Sequence, residues 1–167
     1  YDNVIRFAGA CPQRVLVTED DSFQYRPEAI AEAMNERTRA ILLNSPANPT
    51  GTLLSEDALE TACACGAPVV SDEIYHGLTY AGPARSALQF SPDALVLNGF
   101  SKRFAMTGLR LGYLIAPKAM MPLLQKLQQN LFICASSVAQ WAGLACLSPE
   151  GLAAAETMRA TYDTRRK

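Results

Sequence analysis

Short apolar runs alternate with amphipathic stretches along this chain. VIRFA, RVLVT, AILLNS, PVVSD and ALVLNG are of strand length, rich in Val, Leu and Ile, and set off by polar residues, Gly or Pro. Between them, the segments from about Pro27 to Arg37 and from about Ser55 to Cys65 have helical character. LGYLIAP adds another strand. A long helical region follows, with Leu123, Leu124, Leu127 and Leu131 at helical spacing, until Ser148-Pro149-Glu150 breaks it and caps a last helix. Alternation of this kind predicts an α/β fold with a largely parallel sheet.

The helix starts carry their own signals. Pro27 and Pro122 suit first-turn positions, where a missing N–H costs nothing. Ser55 is an N-cap followed by Glu56 and Asp57, whose charges suit a helix N-terminus. The closing Arg165-Arg166-Lys167 places cations at a helix C-terminus. No internal repeat, low-complexity segment or linker divides the chain.

Its 167 residues are 49% apolar, enough for a packed core, and the formal charge is -1. With Lys and Arg scattered among acids there is no basic stripe for nucleic acid, so small molecules are the expected partners. Apolar runs are interrupted before the about 20 residues a membrane helix needs, and a cytoplasmic protein is expected. Five cysteines, Cys11, Cys63, Cys65, Cys134 and Cys146, form no Cys-x-x-Cys pair and stand near no histidine cluster, so no metal site is expected. They read as small buried residues in a reducing compartment. Tyr1 opens the chain without an initiator methionine and leads straight into VIRF, as though a longer chain had been entered midway.

Three strands end in polar loops: AILLNSPANPTG, PVVSDEIYHG and ALVLNGFSKRFAMTG. Ligands of open α/β sheets bind beyond the carboxyl ends of the strands, so the loops are predicted to converge. Convergence would gather Asn48, Asp72, Tyr75, Ser101, Lys102 and Arg110: an amide, a carboxylate, a phenol, a hydroxyl, an amine and a guanidinium. That set suits a ligand with a basic ring nitrogen, an acidic ring hydroxyl, an aldehyde and a phosphate, which describes pyridoxal phosphate.

In order and spacing, Asn48-Pro49-Thr50-Gly51, Ser71-Asp72-Glu73-Ile74-Tyr75, and Ser101-Lys102 followed by Ala105-Met106-Thr107-Gly108-Leu109-Arg110-Leu111-Gly112-Tyr113 resemble the motifs of the class I/II, aspartate-aminotransferase-like enzymes of fold type I. The resemblance implies a three-layer α/β sandwich with a mostly parallel sheet. Residues 1–147 would be part of the large pyridoxal-phosphate-binding domain, and residues 148–167 a helix leading out towards a small domain. It also implies a longer parent chain, a homodimer to which the helix after Pro122 contributes, and amino-acid and keto-acid substrates.

By the same resemblance Lys102 forms the internal Schiff base and moves the α proton. Asp72 pairs with the ring nitrogen, Asn48 and Tyr75 meet the ring oxygen, Ile74 lies against a ring face, and Arg110 grips the phosphate, a bidentate contact lysine cannot copy. Ser101 adds a hydroxyl to the phosphate. Three residues before the lysine, where one branch of the family has serine, stands Gly99. A cis peptide is expected at Asn48-Pro49. Glu73 is expected to be structural; His76, on an extended segment, is expected to pack away from Tyr75; Trp141 and the leucine stripe are expected to be core or subunit contact. The implied reaction is ping-pong transamination, performed only with the rest of the parent chain. Lyases, decarboxylases and synthases of this fold, and the effector domains of certain transcription regulators, share the same cofactor residues.

Overall fold

The computed structural model describes residues 1–167, the surroundings of the Pro27 side chain excepted. Four strands form one sheet in the order β1 (Ile41–Asn44), β2 (Val69–Asp72), β3 (Leu95–Gly99) and β4 (Gly112–Ile115). The first three are parallel and β4 closes the series antiparallel to β3. The predicted α/β fold with a mostly parallel sheet is therefore present, and all four of these strands were foreseen.

The register decides which residues share a face. Leu43, Ser71 and Val96 are aligned across β1, β2 and β3, and all three are buried. Against β1 and β2 pack Ile30 of α2 (Pro27–Ala33) and Leu59 and Ala62 of α3 (Glu56–Ala64), with Ala87 and Ala94 completing the core. One residue further on, the row Asn44, Asp72, Leu97 and Leu114 faces the opposite way, as strand alternation requires. That row is only half-buried, and Leu97 is exposed.

α3 begins as expected, with the Ser55 hydroxyl accepting from Ala58 N at 3.1 Å. α2 stops at Ala33, short of Arg37. Asn35 and Thr38 take over the backbone there: Asn35 N donates to the Thr38 hydroxyl at 3.0 Å and Arg37 N to the Asn35 side-chain oxygen at 2.9 Å, an alternative to further helix. Two predicted strands do not form. VIRFA lies mostly in a helix, α1 (Asp2–Phe7), and RVLVT has no regular structure. Neither finds a strand to pair with among the described residues, and a short apolar run without alternation has no period of its own to enforce a strand.

The long helical region is two helices, α4 (Met121–Leu131) and α5 (Ser137–Cys146). Between them Ile133 is left-handed at φ 63°, with Phe132 N and Ile133 N both donating to Gln128 O at 3.0 Å. Leu123, Leu127, Leu131 and Trp141 are exposed and so are not core of this chain. Cys11 and Cys134 are exposed too, and Cys63, Cys65 and Cys146 only half-buried, contrary to the expectation that all five cysteines are buried. Burial raises the pKa of the half-buried Cys63 thiol. α6 (Pro149–Arg165) starts at Ser148, whose hydroxyl accepts from Gly151 N at 3.1 Å, and packs against α5. No helix among the described residues is long and apolar enough to cross a membrane.

Glu73 is 3% exposed, and its Oε1 accepts from the Ser71 hydroxyl (3.1 Å), the Ser86 hydroxyl (3.0 Å) and Ala87 N (2.9 Å). It thus ties β2 to the turn Ala87–Gln89, which is a structural role. Replacing Glu73 by Ala strands three donors in the interior. We expect a loss of about 3 kcal/mol, readable as a lower urea midpoint, with Glu73→Gln retaining part of the difference.

Candidate active site

β2 delivers Asp72 to the half-buried face because Ser71 and Glu73, its neighbours, are committed to the core. Its two oxygens are held separately. Oδ1 accepts from Ile74 N at 3.1 Å, and Oδ2 accepts from the Tyr1 hydroxyl at 2.5 Å. The chain then turns instead of running on extended, with His76 N donating to Glu73 O (2.9 Å) and Leu78 N to Tyr75 O (3.0 Å). Gly77 follows at φ 84°, beside the Arg103 side chain. The turn places His76 Nδ1 3.3 Å from Glu73 Oε2, away from Asp72, and swings Tyr75 under the lysine: Lys102 Nζ lies 5.4 Å from the Tyr75 ring centre.

The end of β1 is tied to the same place. Asn44 Nδ2 donates to Asp72 O at 3.1 Å, while Asn44 Oδ1 accepts from Asn48 N at 2.9 Å. The Asn44 amide therefore links the Asn48 loop to the Asp72 strand end, where Ser45 N also donates to Asp72 O at 3.1 Å. The Asn48-Pro49 peptide is cis, as expected, and so is Ser45-Pro46. Asn48 and Tyr75 line one cavity of about 430 Å³, whose wall includes Pro46, Tyr80 and Arg166.

Lys102 sits in the loop joining β3 to β4. Phe100 N donates to Leu111 O at 3.1 Å, which extends the β3–β4 pairing beyond Gly99 and Gly112 and leaves Ser101 and Arg110 on the two sides of the loop neck. Gly99 is needed there: a Cβ would lie 2.9 Å from Leu111 O and 3.0 Å from Gly112 Cα, both backbone. Ile74 Cδ1 closes the third side at 3.4 Å. Arg110 is left-handed (φ 53°, ψ 46°) and exposed, and its Nη1 donates to Thr107 O at 2.9 Å. Tyr75 and Lys102 are thus brought together directly, Asp72 stands at the strand end one turn before Tyr75, Asn48 joins through its shared cavity with Tyr75, and Ser101 and Arg110 flank the lysine loop.

The family described as aminotransferase class I and II matches residues 1–167, the whole chain. The chain belongs to this family. It is 38% identical over 170 residues to the (5-formylfuran-3-yl)methyl phosphate transaminase of Methanocaldococcus jannaschii, covering 100% of this chain and 44% of that one. It is 35% identical over 175 residues to the aspartate aminotransferase of Geobacillus stearothermophilus, with 99% and 44% covered. The solved aspartate aminotransferase from Thermus thermophilus with maleate superposes with a TM-score of 0.94 at 34% identity, covering 99% of this chain and 45% of that one. The chain thus spans a little under half the length of the curated relatives it matches.

Two residues of this candidate site are not among those the sequence marks. Asn44 was counted only as the end of a strand, although a polar amide closing the apolar run Ile41-Leu42-Leu43 was a visible signal. Tyr1 is 71 positions from Asp72 and carried no local signal; assigning VIRFA to a strand concealed that α1 anchors it, through Ile5 N donating to Tyr1 O at 3.0 Å. Tyr1 is 57% exposed as a residue, yet desolvation of its hydroxyl and then the carboxylate it donates to raise the hydroxyl pKa well above that of a free tyrosine.

Asn44→Ala removes both side-chain bonds, to Asp72 O and from Asn48 N, and leaves the backbone bond from Ser45 N to Asp72 O. The expected cost is about 1–2 kcal/mol in urea unfolding, together with faster hydrogen exchange at the Asn48 amide. An unchanged exchange rate there would mean that Asn44 does not hold the loop.

Proposed function

We propose that this chain is part of a pyridoxal-phosphate-dependent aminotransferase that moves an amino group between an amino acid and a 2-keto acid. The observation that carries the reading is the cluster at the strand ends: the Lys102 amine over the Tyr75 ring, one turn from the doubly held Asp72 carboxylate. Family membership supports it, since enzymes of this class generally use that cofactor and the relatives named above are transaminases.

The donor set matches the cofactor group by group. Asp72 offers a fixed anion for a proton on the ring nitrogen, and Asn48 and Tyr75 offer donors to the ring oxygen. Ile74, packed beside Gly99, supplies an apolar surface for one ring face. The Arg110 guanidinium, with the Ser101 hydroxyl across the loop neck, would grip the phosphate. When bound, pyridoxal phosphate supplies an aldehyde that condenses with amines and a protonated ring that accepts an electron pair.

What remains is the task of this chain's residues. Lys102 Nζ would hold the cofactor through its aldehyde carbon and would give way there to a substrate amine. Once displaced, the Lys102 amine would accept the proton of the substrate α carbon and give it back, so that one group would serve as base and then acid. Tyr75, below the lysine, would limit where Nζ can go, and the Asp72 carboxylate would accept the hydrogen bond of a protonated ring nitrogen.

In this reading residues 1–147 belong to the cofactor-binding domain and α6 leads towards the rest of the enzyme. The exposed Leu123, Leu127 and Leu131 of α4 are a face that a second copy would cover in a homodimer. Unpaired thiols at five positions suit a reducing cytoplasm.

The reading is tested on the protein expressed from its whole reading frame. Borohydride reduction of the holoenzyme followed by peptide mapping should place the pyridoxyl group on Lys102; finding it on Lys118 or Lys126 would overturn the assignment. Lys102→Ala should lower turnover by at least about 10⁴-fold while the cofactor still binds noncovalently. Half-reactions with a panel of amino acids, followed by cofactor absorbance, would identify the donor.

A further inference from the structure

Asp72 is not held by its own strand alone. Its Oδ1 is fixed by the backbone two residues on, a contact any residue at position 74 except proline would supply. Its Oδ2 is fixed by a side chain 71 positions away. The Tyr1 hydroxyl reaches it at 2.5 Å, in the range of a charge-assisted O–H···O⁻ hydrogen bond. With one donor on each oxygen, the plane of the carboxylate is set, and it is set on the half-buried face of the sheet.

Tyr1 does not reach there by chance of rotamer alone. It is the residue at which α1 starts, its carbonyl accepting from Ile5 N, so the helix fixes its backbone while the ring projects towards the end of β2. The titratable groups around the phenol are Asp72, Tyr75 and Tyr25. All three raise its pKa, as does burial, so it stays protonated and donating across the working pH range. A phenol that remains a donor keeps Oδ2 of Asp72 occupied and the carboxylate in one orientation.

Resting on the pyridoxal phosphate reading above, we infer that Tyr1 is a positioning residue for Asp72: its hydroxyl orients the carboxylate and sets how strongly Asp72 competes for the proton on the cofactor's ring nitrogen. A carboxylate that accepts a second strong hydrogen bond disperses its charge and binds a proton less tightly. The shared proton then stays on the ring, which keeps its positive charge and its capacity to accept electrons. Without the phenol, Asp72 is freer to rotate and more basic. The proton shifts towards it, and the ring loses positive charge. The nitrogen that joins Lys102 to the cofactor then keeps its own proton to higher pH.

The test is Tyr1→Phe in the holoenzyme expressed from the whole reading frame, compared with wild type, Asp72→Asn and the double variant. Phenylalanine keeps the ring, so the thermal midpoint and circular dichroism should be unchanged. The pyridoxal phosphate dissociation constant should rise about three- to tenfold. The pH midpoint of the cofactor's visible absorbance should move upward by about half a unit. In the Asp72→Asn background Tyr1→Phe should change neither quantity further, because the group through which it acts is gone.

Equal shifts from Tyr1→Phe in both backgrounds would show that Tyr1 acts independently of Asp72 and would overturn the inference. So would a Tyr1→Phe enzyme with an unchanged midpoint and dissociation constant; in that case cofactor binding by the wild type would leave the reading of the site intact. A wild-type protein that binds no pyridoxal phosphate would overturn both.

Discussion

The parallel register between β1 and β2 is the constraint on which the rest of this structure depends. Pairing Leu43 with Ser71 puts Asn44 beside Asp72, and only that register lets one asparagine amide bond the Asp72 carbonyl on one side and the Asn48 amide on the other. A slip of one residue would turn Asp72 into the core and Glu73 out of it. Against such a slip stand the three donors waiting for Glu73 in the interior, together with the buried Leu43, Val69 and Val96. The site is placed by the core beneath it.

Adjacent carboxylates thus meet opposite fates. Glu73 is surrounded by donors, is paired with His76, and serves to close the turn against the sheet. Asp72, one residue earlier, has one donor per oxygen and lone pairs to spare, which is the condition for a carboxylate that receives a proton donor from a ligand. Strand alternation alone separates the two roles. The same period brings Gly99 rather than a bulkier residue to the crowded neck of the lysine loop, where two backbones approach within the reach of a Cβ.

What the sequence made legible follows from how local each signal was. Runs such as Pro68-Val69-Val70-Ser71-Asp72 carry strand propensity and a turn within a few residues, and the four strands of the sheet were read correctly. Ser55 and Ser148 cap the helices they were expected to cap, through hydroxyls three residues from the amides they accept from. Signals that depend on a distant partner were lost. VIRFA and RVLVT have the composition of strands but nothing beside them to bond, and the break at Ile133 leaves no mark in a leucine pattern that continues on either side of it. Asn48, Asp72, Tyr75 and Lys102 were recognisable as a set because each closes or follows a strand of one sheet. Tyr1 reaches that set through tertiary contact alone.

The wall of the cavity shared by Asn48 and Tyr75 extends this dependence to the last helix. Arg159 Nη1 donates to Thr79 O at 3.1 Å, and the Arg166 guanidinium lies 4.6 Å from the Tyr80 ring centre. Seven residues apart, at two helical turns, the arginines stand on one face of α6 and its end. Each is also braced by an acid of the same helix, Arg159 by Glu156 and Arg166 by Asp163. The segment they grip follows Tyr75 by only four and five residues, with Gly77 between. Any displacement of α6 is therefore felt at the loop that carries Tyr75. Asp72 is held in addition by Asn44 and Tyr1, so the carboxylate is anchored to the sheet and α1 while the loop that carries the phenol is gripped by α6.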